Sequence, residues 1–255
     1  MNDTPINQHN IEIQKNLKSW NSKPILQKVY KHFYALIREE IDLSLTGKIV
    51  ELGSGIGNLK SVIDNCITTD IFPNPWIDQV ENAYVLSFED NSVSHLILFD
   101  VFHHLEYPGN AFEEFQRVLV PNGRVIIFEP YISLFSYFIY EFFHHEPVKY
   151  FSSIQWFAPD NEDIEKDKYY AAQGNATRIF FKQKNKNLLN DWNVLKKKRI
   201  NASYYIASGG YSKKQFYPDA LFPFLLKLDN VFSFLNKLIG SRLIVVLQKN
   251  KNVFI

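Results

Sequence analysis

The chain has 255 residues, 46% of them hydrophobic and 16% aromatic, with 28 Lys and Arg against 27 Asp and Glu. That length suits one α/β domain carrying insertions, with a substantial core, and a charge so near neutrality excludes a dedicated nucleic-acid binder, which is usually strongly basic. A lone cysteine, Cys66, excludes an internal disulfide framework and suits a reducing compartment.

Ile25, Val29, Phe33 and Leu36-Ile37 recur at helical spacing and predict helix up to about residue 44, with Pro24 placed in a first turn. Gly47 breaks the pattern before a strand over 48–52. Beyond it the pattern predicts a short helix over 58–64 and strands over 66–70, 83–86 and 93–99. A helix over 110–119, the turn Pro121-Asn122-Gly123 and a strand over 124–128 follow. Strands alternating with helices imply a parallel sheet covered on both faces. After Pro130 an aromatic helix is predicted over 131–143, a surface loop over 146–168 and a helix over 175–189. A sixth strand over 199–206, the turn Ser208-Gly209-Gly210, an apolar helical stretch over 219–239 divided at Pro223, and a closing strand over 242–247 complete the chain. The organisation expected is N-terminal helices over 1–46, a core over 47–130, and a remainder over 131–255 that completes the sheet and supplies insertions, all within one catalytic domain.

Ile49-Val50-Glu51-Leu52-Gly53-Ser54-Gly55-Ile56-Gly57-Asn58 is the most informative stretch. An apolar strand ends in an acid and opens into three alternate glycines, which permit positive φ and close backbone approach of a ligand. The dinucleotide fingerprint of dehydrogenases needs its third Gly one position later, where Asn58 stands. The stretch instead resembles motif I of the class I S-adenosylmethionine (SAM)-dependent methyltransferases. Asp100-Val101-Phe102-His103-His104-Leu105 and Val118-Leu119-Val120-Pro121-Asn122-Gly123-Arg124-Val125 are similar to segments of the type-11, ubiquinone-methylase-like group of that family.

The resemblance implies a doubly wound, Rossmann-like α/β fold with a seven-stranded sheet and helical insertions, and SAM as cofactor. It implies that Glu51, Gly53, Ser54, Gly55 and Gly57 surround the methionine part and that Asp70, seventeen positions after Gly53, accepts the ribose hydroxyls. It places Asn82 and Ala83 at the adenine and Asp100 among the cofactor contacts. Common relatives carry Asp where Asn82 stands; Asn82 alternatively only makes a turn. In open α/β sheets ligands bind beyond the carboxyl ends of the strands, and all these residues fall there.

His103 adjoins the expected methyl position and is a candidate to deprotonate a substrate hydroxyl, as are His144 and His145 after the aromatic helix. His144-His145-Glu146 lacks the spacing that places two metal ligands on one helical face, so no metal is expected. Ser208-Gly209-Gly210-Tyr211-Ser212, with the His144-His145 block, is similar to a bacterial subgroup of type-11-like methyltransferases, some encoded near surface-polysaccharide genes. Methyl transfer to a small-molecule, saccharide or lipid-linked acceptor, on oxygen, is the expected activity. A catalytically silent SAM-binding scaffold and an NAD-type oxidoreductase are the competing readings. Residues 1–9 lack the layout of a signal peptide, and no apolar run reaches the ~18 residues of a spanning helix, so a cytoplasmic protein is expected, with no nucleic-acid partner. The basic run Lys196-Lys197-Lys198-Arg199 and the apolar Leu221–Leu226 leave room for peripheral membrane contact, although core packing is the simpler account of the second.

Overall fold

The computed structural model describes residues 5–143, 148–164 and 170–250; His144 and His145 lie outside them. Helices α1 (Pro5–Ser22) and α2 (Pro24–Arg38) precede the sheet, with Pro24 in the first turn of α2. Strands β1 (Lys48–Leu52), β2 (Cys66–Asp70), β3 (Gln79–Val80) and β4 (Val93–Phe99) follow, then α3 (Pro108–Val118) and β5 (Leu119–Pro130). Beyond β5 come α4 (Leu134–Phe143), α5 (Asn175–Phe181), β6 (Trp192–Ile200), α6 (Ser203–Ser208), α7 (Phe222–Val231), α8 (Asn236–Ile239) and β7 (Arg242–Lys249).

The seven strands form one sheet in the order β3-β2-β1-β4-β5-β7-β6. β1 to β5 pair in parallel, whereas β7 runs antiparallel between β5 and β6. Winding therefore reverses between β1 and β4, and their carboxyl ends open a crevice there. Because β7 is antiparallel, its first residue, Arg242, pairs with the last of β5, Pro130. The insertion before β7 thus leaves from and returns to the crevice end, whereas the one before β6 leaves from it and enters β6 at the opposite end, where Trp192 pairs with Lys249.

The runs Val50–Leu52, Leu96–Leu98 and Val125–Phe128 are buried on both faces, as parallel strands covered by helices must be. One face packs on α3 and α5 through Phe112, Phe115 and Phe180; the other packs on α2 and α6 through Phe33, Ile37 and Tyr204.

Three sequence expectations are corrected. The third strand is Gln79–Val80 rather than 83–86, where Asn82 and Val85 form only an isolated bridge across a turn. The sixth strand is Trp192–Ile200 and absorbs the basic run, while the second half of the segment expected as strand belongs to the helix α6. The helix after the glycine turn shrinks to a single 3-10 turn, Asn58–Ser61.

Phe33 joins α2 to the sheet. It is fully buried, with its ring 4.9 Å from that of Phe128 and within 6.2 Å of Phe99, Tyr204 and Tyr205. Phe33→Ala is expected to lower unfolding stability by about 3–5 kcal/mol, measured as a reduced urea midpoint with little change in slope; a loss under ~1 kcal/mol would mean that α2 docks by other contacts.

Candidate functional site

The crevice is lined by the residues that end β1, β2, β4 and β5. The three glycines of the turn after β1 all have positive φ, between 55° and 66°, yet their surroundings divide the labour. A Cβ on Gly53 would meet Val101 Cγ2 at 2.4 Å and one on Gly57 would meet the Trp76 carbonyl oxygen at 2.5 Å, so those two permit close packing. A Cβ on Gly55 would meet nothing within 4 Å. Gly55 therefore faces open space in front of the turn, where a ligand can approach the backbone.

Ser54 ties the turn to β2: its amide donates to the Thr69 carbonyl at 2.7 Å and its Oγ accepts the Thr69 amide at 3.1 Å. Asp70 ends β2 and accepts the Gly55 amide on Oδ2 at 3.0 Å and the Ile71 amide on Oδ1 at 2.8 Å. His9 of α1 adds Nε2 at 3.4 Å from Asp70 Oδ1 and sets its ring edge on Phe72. Burial disfavours the charged imidazole, but the hydrogen bond and charge of Asp70 outweigh it and hold the His9 pKa above its ordinary value.

Glu51 is 4% exposed, and its Oε2 has no hydrogen-bond partner. Burial, with Asp70 nearby, pushes its carboxyl up to about 8, the Ser54 hydrogen bond opposing. An orphaned buried carboxylate oxygen beside an open glycine turn fits a ligand that brings a cation.

Asp100 follows β4 at φ 56° and ion-pairs with Arg242 Nη1. Arg242 is buried, and its guanidinium lies 4.4 Å from the Tyr205 ring centre. His103 and Glu129, both nearly inaccessible, join through Nδ1 and Oε2 at 2.7 Å, while Glu129 Oε1 accepts the Phe102 amide at 2.6 Å. Burial raises the Glu129 pKa and the His103 charge opposes it. The adjacent His104 ring lies 4.1 Å from that of His103, its Nδ1 2.7 Å from the Tyr170 carbonyl oxygen.

The structure thus gathers Glu51, Gly53, Ser54, Gly55, Gly57, Asp70, Asp100 and His103 around one crevice. Asn82 and Ala83 lie in the turn after β3, and Asn82 Oδ1 accepts the Tyr84 amide at 3.0 Å, the turn-forming alternative of the sequence reading. Among the described residues, no cluster of three or more His, Cys, Asp or Glu side chains is placed to hold a metal ion.

The roof has two parts. Tyr170 and Ala172, ahead of α5, cover the histidines, Ala172 donating its amide to the His103 carbonyl at 3.0 Å. The turn after α6 covers the glycine side and is clipped to the N-terminal helices: Ser19 Oγ donates to the Tyr211 carbonyl at 2.7 Å, and Lys23 reaches the Lys213 carbonyl at 2.8 Å. Glu129, Arg242 and His9 escaped the sequence reading. Glu129 carried the same signal as Glu51, an acid closing a buried strand; the other two carried none.

Residues 50–127 match the family model described as a methyltransferase domain. A chain in the Haloferax volcanii complex between the Trm112 methyltransferase activator and a methyltransferase superposes with TM-score 0.53 at 14% identity, covering 97% of this chain and 98% of that one. Geranyl diphosphate C-methyltransferase from Streptomyces coelicolor, solved with Mg2+, geranyl diphosphate and S-adenosylhomocysteine, gives 0.50 at 10% identity, covering 88% and 81%. At such identities these likenesses establish the fold. No curated protein sequence matches.

The strand order around the matched domain is that of the class I, Rossmann-like methyltransferase fold. Residues 50–127 of this chain thus carry a methyltransferase domain, which speaks against the NAD-type alternative.

Gly55→Ala is expected to fold, losing roughly 1–2 kcal/mol for its left-handed backbone, and to bind SAM at least about tenfold more weakly because the methyl enters the ligand's approach. Gly57→Ala should lose more stability, since it adds a collision to the same strain. Calorimetry with thermal melts separates the two, and normal SAM affinity in folded Gly55→Ala would remove Gly55 from the site.

Proposed function

We propose that this methyltransferase transfers the methyl group of SAM to a hydroxyl of a small-molecule, saccharide or lipid-linked acceptor, with His103 as general base and Glu129 as its positioning residue. The observation that carries this reading is the buried His103–Glu129 pair at the ends of β4 and β5, beside the glycine turn.

SAM supplies a methyl group on a sulfonium, already activated for displacement, so the chain's part is alignment and proton handling. Glu51 receives the ammonium of the methionine part, Gly53, Ser54, Gly55 and Gly57 shape its cradle, and Asp100 borders it. Asp70 receives the ribose hydroxyls once His9 has moved off its carboxylate. Asn82 and Ala83 flank the adenine, with one lone pair of Asn82 Oδ1 already committed to its own turn.

A neutral hydroxyl is a poor nucleophile until it loses its proton, and a base is what an oxygen acceptor requires and an unprotonated amine does not. Since Glu129 holds Nδ1 of His103, a proton taken from the acceptor goes to Nε2, and the imidazolium formed is stabilised by the carboxylate against it. His144 and His145 stay second candidates for the same role from the insertion after α4.

Two outcomes test the assignment. Because ionised Glu51 is the form that pairs with an ammonium, and its pKa in the free protein is about 8, SAM binding near pH 7 should take with it the release of a proton. Affinity should rise with pH and level off above about 8, and the heat of binding should depend on buffer ionisation enthalpy. Glu51→Gln should abolish both effects; a pH-independent affinity in the unaltered protein counts against Glu51 as the ammonium partner.

The second outcome concerns turnover of a hydroxyl acceptor found by screening glycosides and isoprenoid alcohols with methyl-labelled SAM. His103→Ala should lower kcat about a hundredfold with SAM affinity unchanged. Glu129→Gln should lower kcat with little change in KM and displace the acidic limb of the pH profile. Full turnover by His103→Ala would mean catalysis by alignment alone or by another base.

A further inference from the structure

Of the twenty large apolar side chains exposed among the described residues, eleven lie on α4 and on the segment from Leu221 to Leu238. Phe135, Phe138 and Phe142 follow one another along the outer face of α4, and the last two rings stack in parallel at 6.5 Å. Phe224, Phe234 and Leu238 continue the apolar surface across α7 and α8, with Phe142 and Phe234 72% and 75% exposed. The two parts form one surface because α4 packs on α8 and Tyr140 of α4 donates to the Ser241 carbonyl just beyond α8, at 3.1 Å. Core packing, the simpler expectation for 221–226, holds for only part of that run: Leu221 and Phe224 are exposed, while Leu225 and Leu226 pack inward.

Charge is divided along the chain in the same way. Residues 1–130 carry 17 Asp and Glu against 10 Lys and Arg, whereas residues 131–255 carry 18 Lys and Arg against 10 Asp and Glu. The apolar surface belongs to the basic half, and Lys227 and Lys237 stand exposed within it. The surface also lies at the catalytic end: α4 starts just after β5 leaves the crevice, and α8 ends just before Arg242 enters it.

We infer that this surface docks on an anionic lipid bilayer, with the phenylalanines in the acyl boundary and the lysines at the headgroups. A second copy of the chain is the less suited occupant, because a twofold contact through this surface sets two basic halves against each other. In contrast, an anionic bilayer matches both the apolar face and its charge. The inference stands on the surface alone and holds whether or not the acceptor is a hydroxyl; it sets the mouth of the site against the membrane, where a lipid-linked acceptor is held.

The full chain is sedimented with vesicles of phosphatidylcholine and with vesicles containing about one-third phosphatidylglycerol. Binding is expected to the anionic vesicles, to fall with added salt, to drop roughly fivefold for each of Lys227→Glu and Lys237→Glu, and to drop at least about tenfold for each of Phe138→Ser, Phe142→Ser and Phe234→Ser. These residues lie outside the crevice, so unchanged SAM affinity in each variant certifies its fold. No binding to anionic vesicles overturns the inference, as does equal binding by the phenylalanine variants. A stable dimer in solution that the same phenylalanine substitutions dissociate would assign the surface to a second copy instead.

Discussion

Four carboxylates at the ends of four parallel strands set the terms for the rest of this molecule. Glu51, Asp70, Asp100 and Glu129 terminate or follow β1, β2, β4 and β5 at one edge of the sheet, and three of them are nearly inaccessible to water. Like charges held this close in a medium of low dielectric cannot all stay ionised without compensation. Each is met differently. Arg242 pairs with Asp100, His103 with Glu129, and two backbone amides with His9 serve Asp70. Glu51 alone keeps an oxygen without a partner and holds its proton instead, as its pKa of about 8 implies. A raised carboxyl pKa means that this residue's contribution to folding is fully present below the ordinary carboxylate range and lost as pH rises through about 8. The strand ends thus leave one buried carboxyl without a cation.

That deficit explains the closed form of the crevice. His9 places a partial substitute cation on Asp70, and the turn after α6 is pinned to α1 and α2 through Ser19 and Lys23. These polar pins are reinforced by the rings of Trp20 and Tyr211, 5.9 and 5.2 Å from that of Tyr30 on α2, while α2 itself is anchored by Phe33, Ile25 and Leu26, all fully buried. On the other side of the crevice the cover is firmer, since Ala172 and Tyr170 are bonded to the backbone and ring of the two histidines.

The sheet was legible wherever burial on both faces forced a continuous apolar run. β1 and β4 coincide with their expected bounds because Ile49 and Leu96 sit in such runs, and β2 does so with only Cys66 and Ile67 apolar ahead of Thr68, Thr69 and Asp70. β3 was misplaced because its ladder is only Gln79 and Val80, too short for any period, beside a more apolar turn at 83–86. β6 was displaced toward its end because an edge strand needs no apolar face: Lys196, Lys197 and Lys198 guard it from further pairing. The glycine turn was legible because successive positive φ angles require glycines at fixed spacing. The acceptor side was not, since Glu129 and Arg242 meet their partners only through strand order, and residues 26 and 142 positions apart have no local pattern to betray them.

The acidic edge also bears on turnover. SAM carries one more positive charge than its demethylated product, because the sulfonium becomes a neutral thioether when the methyl leaves. Carboxylates clustered at the strand ends therefore attract the substrate form of the cofactor more strongly than the product form. The difference arises from the transfer itself and needs no movement of the chain. On the proposed assignment Glu51 is unaffected by it, since the ammonium is present in both forms. Asp70 and Asp100 are differently placed, each already partly neutralised by His9 or Arg242, so their pull on the sulfonium is moderated. Residual negative potential at this edge favours exchange of product for fresh cofactor.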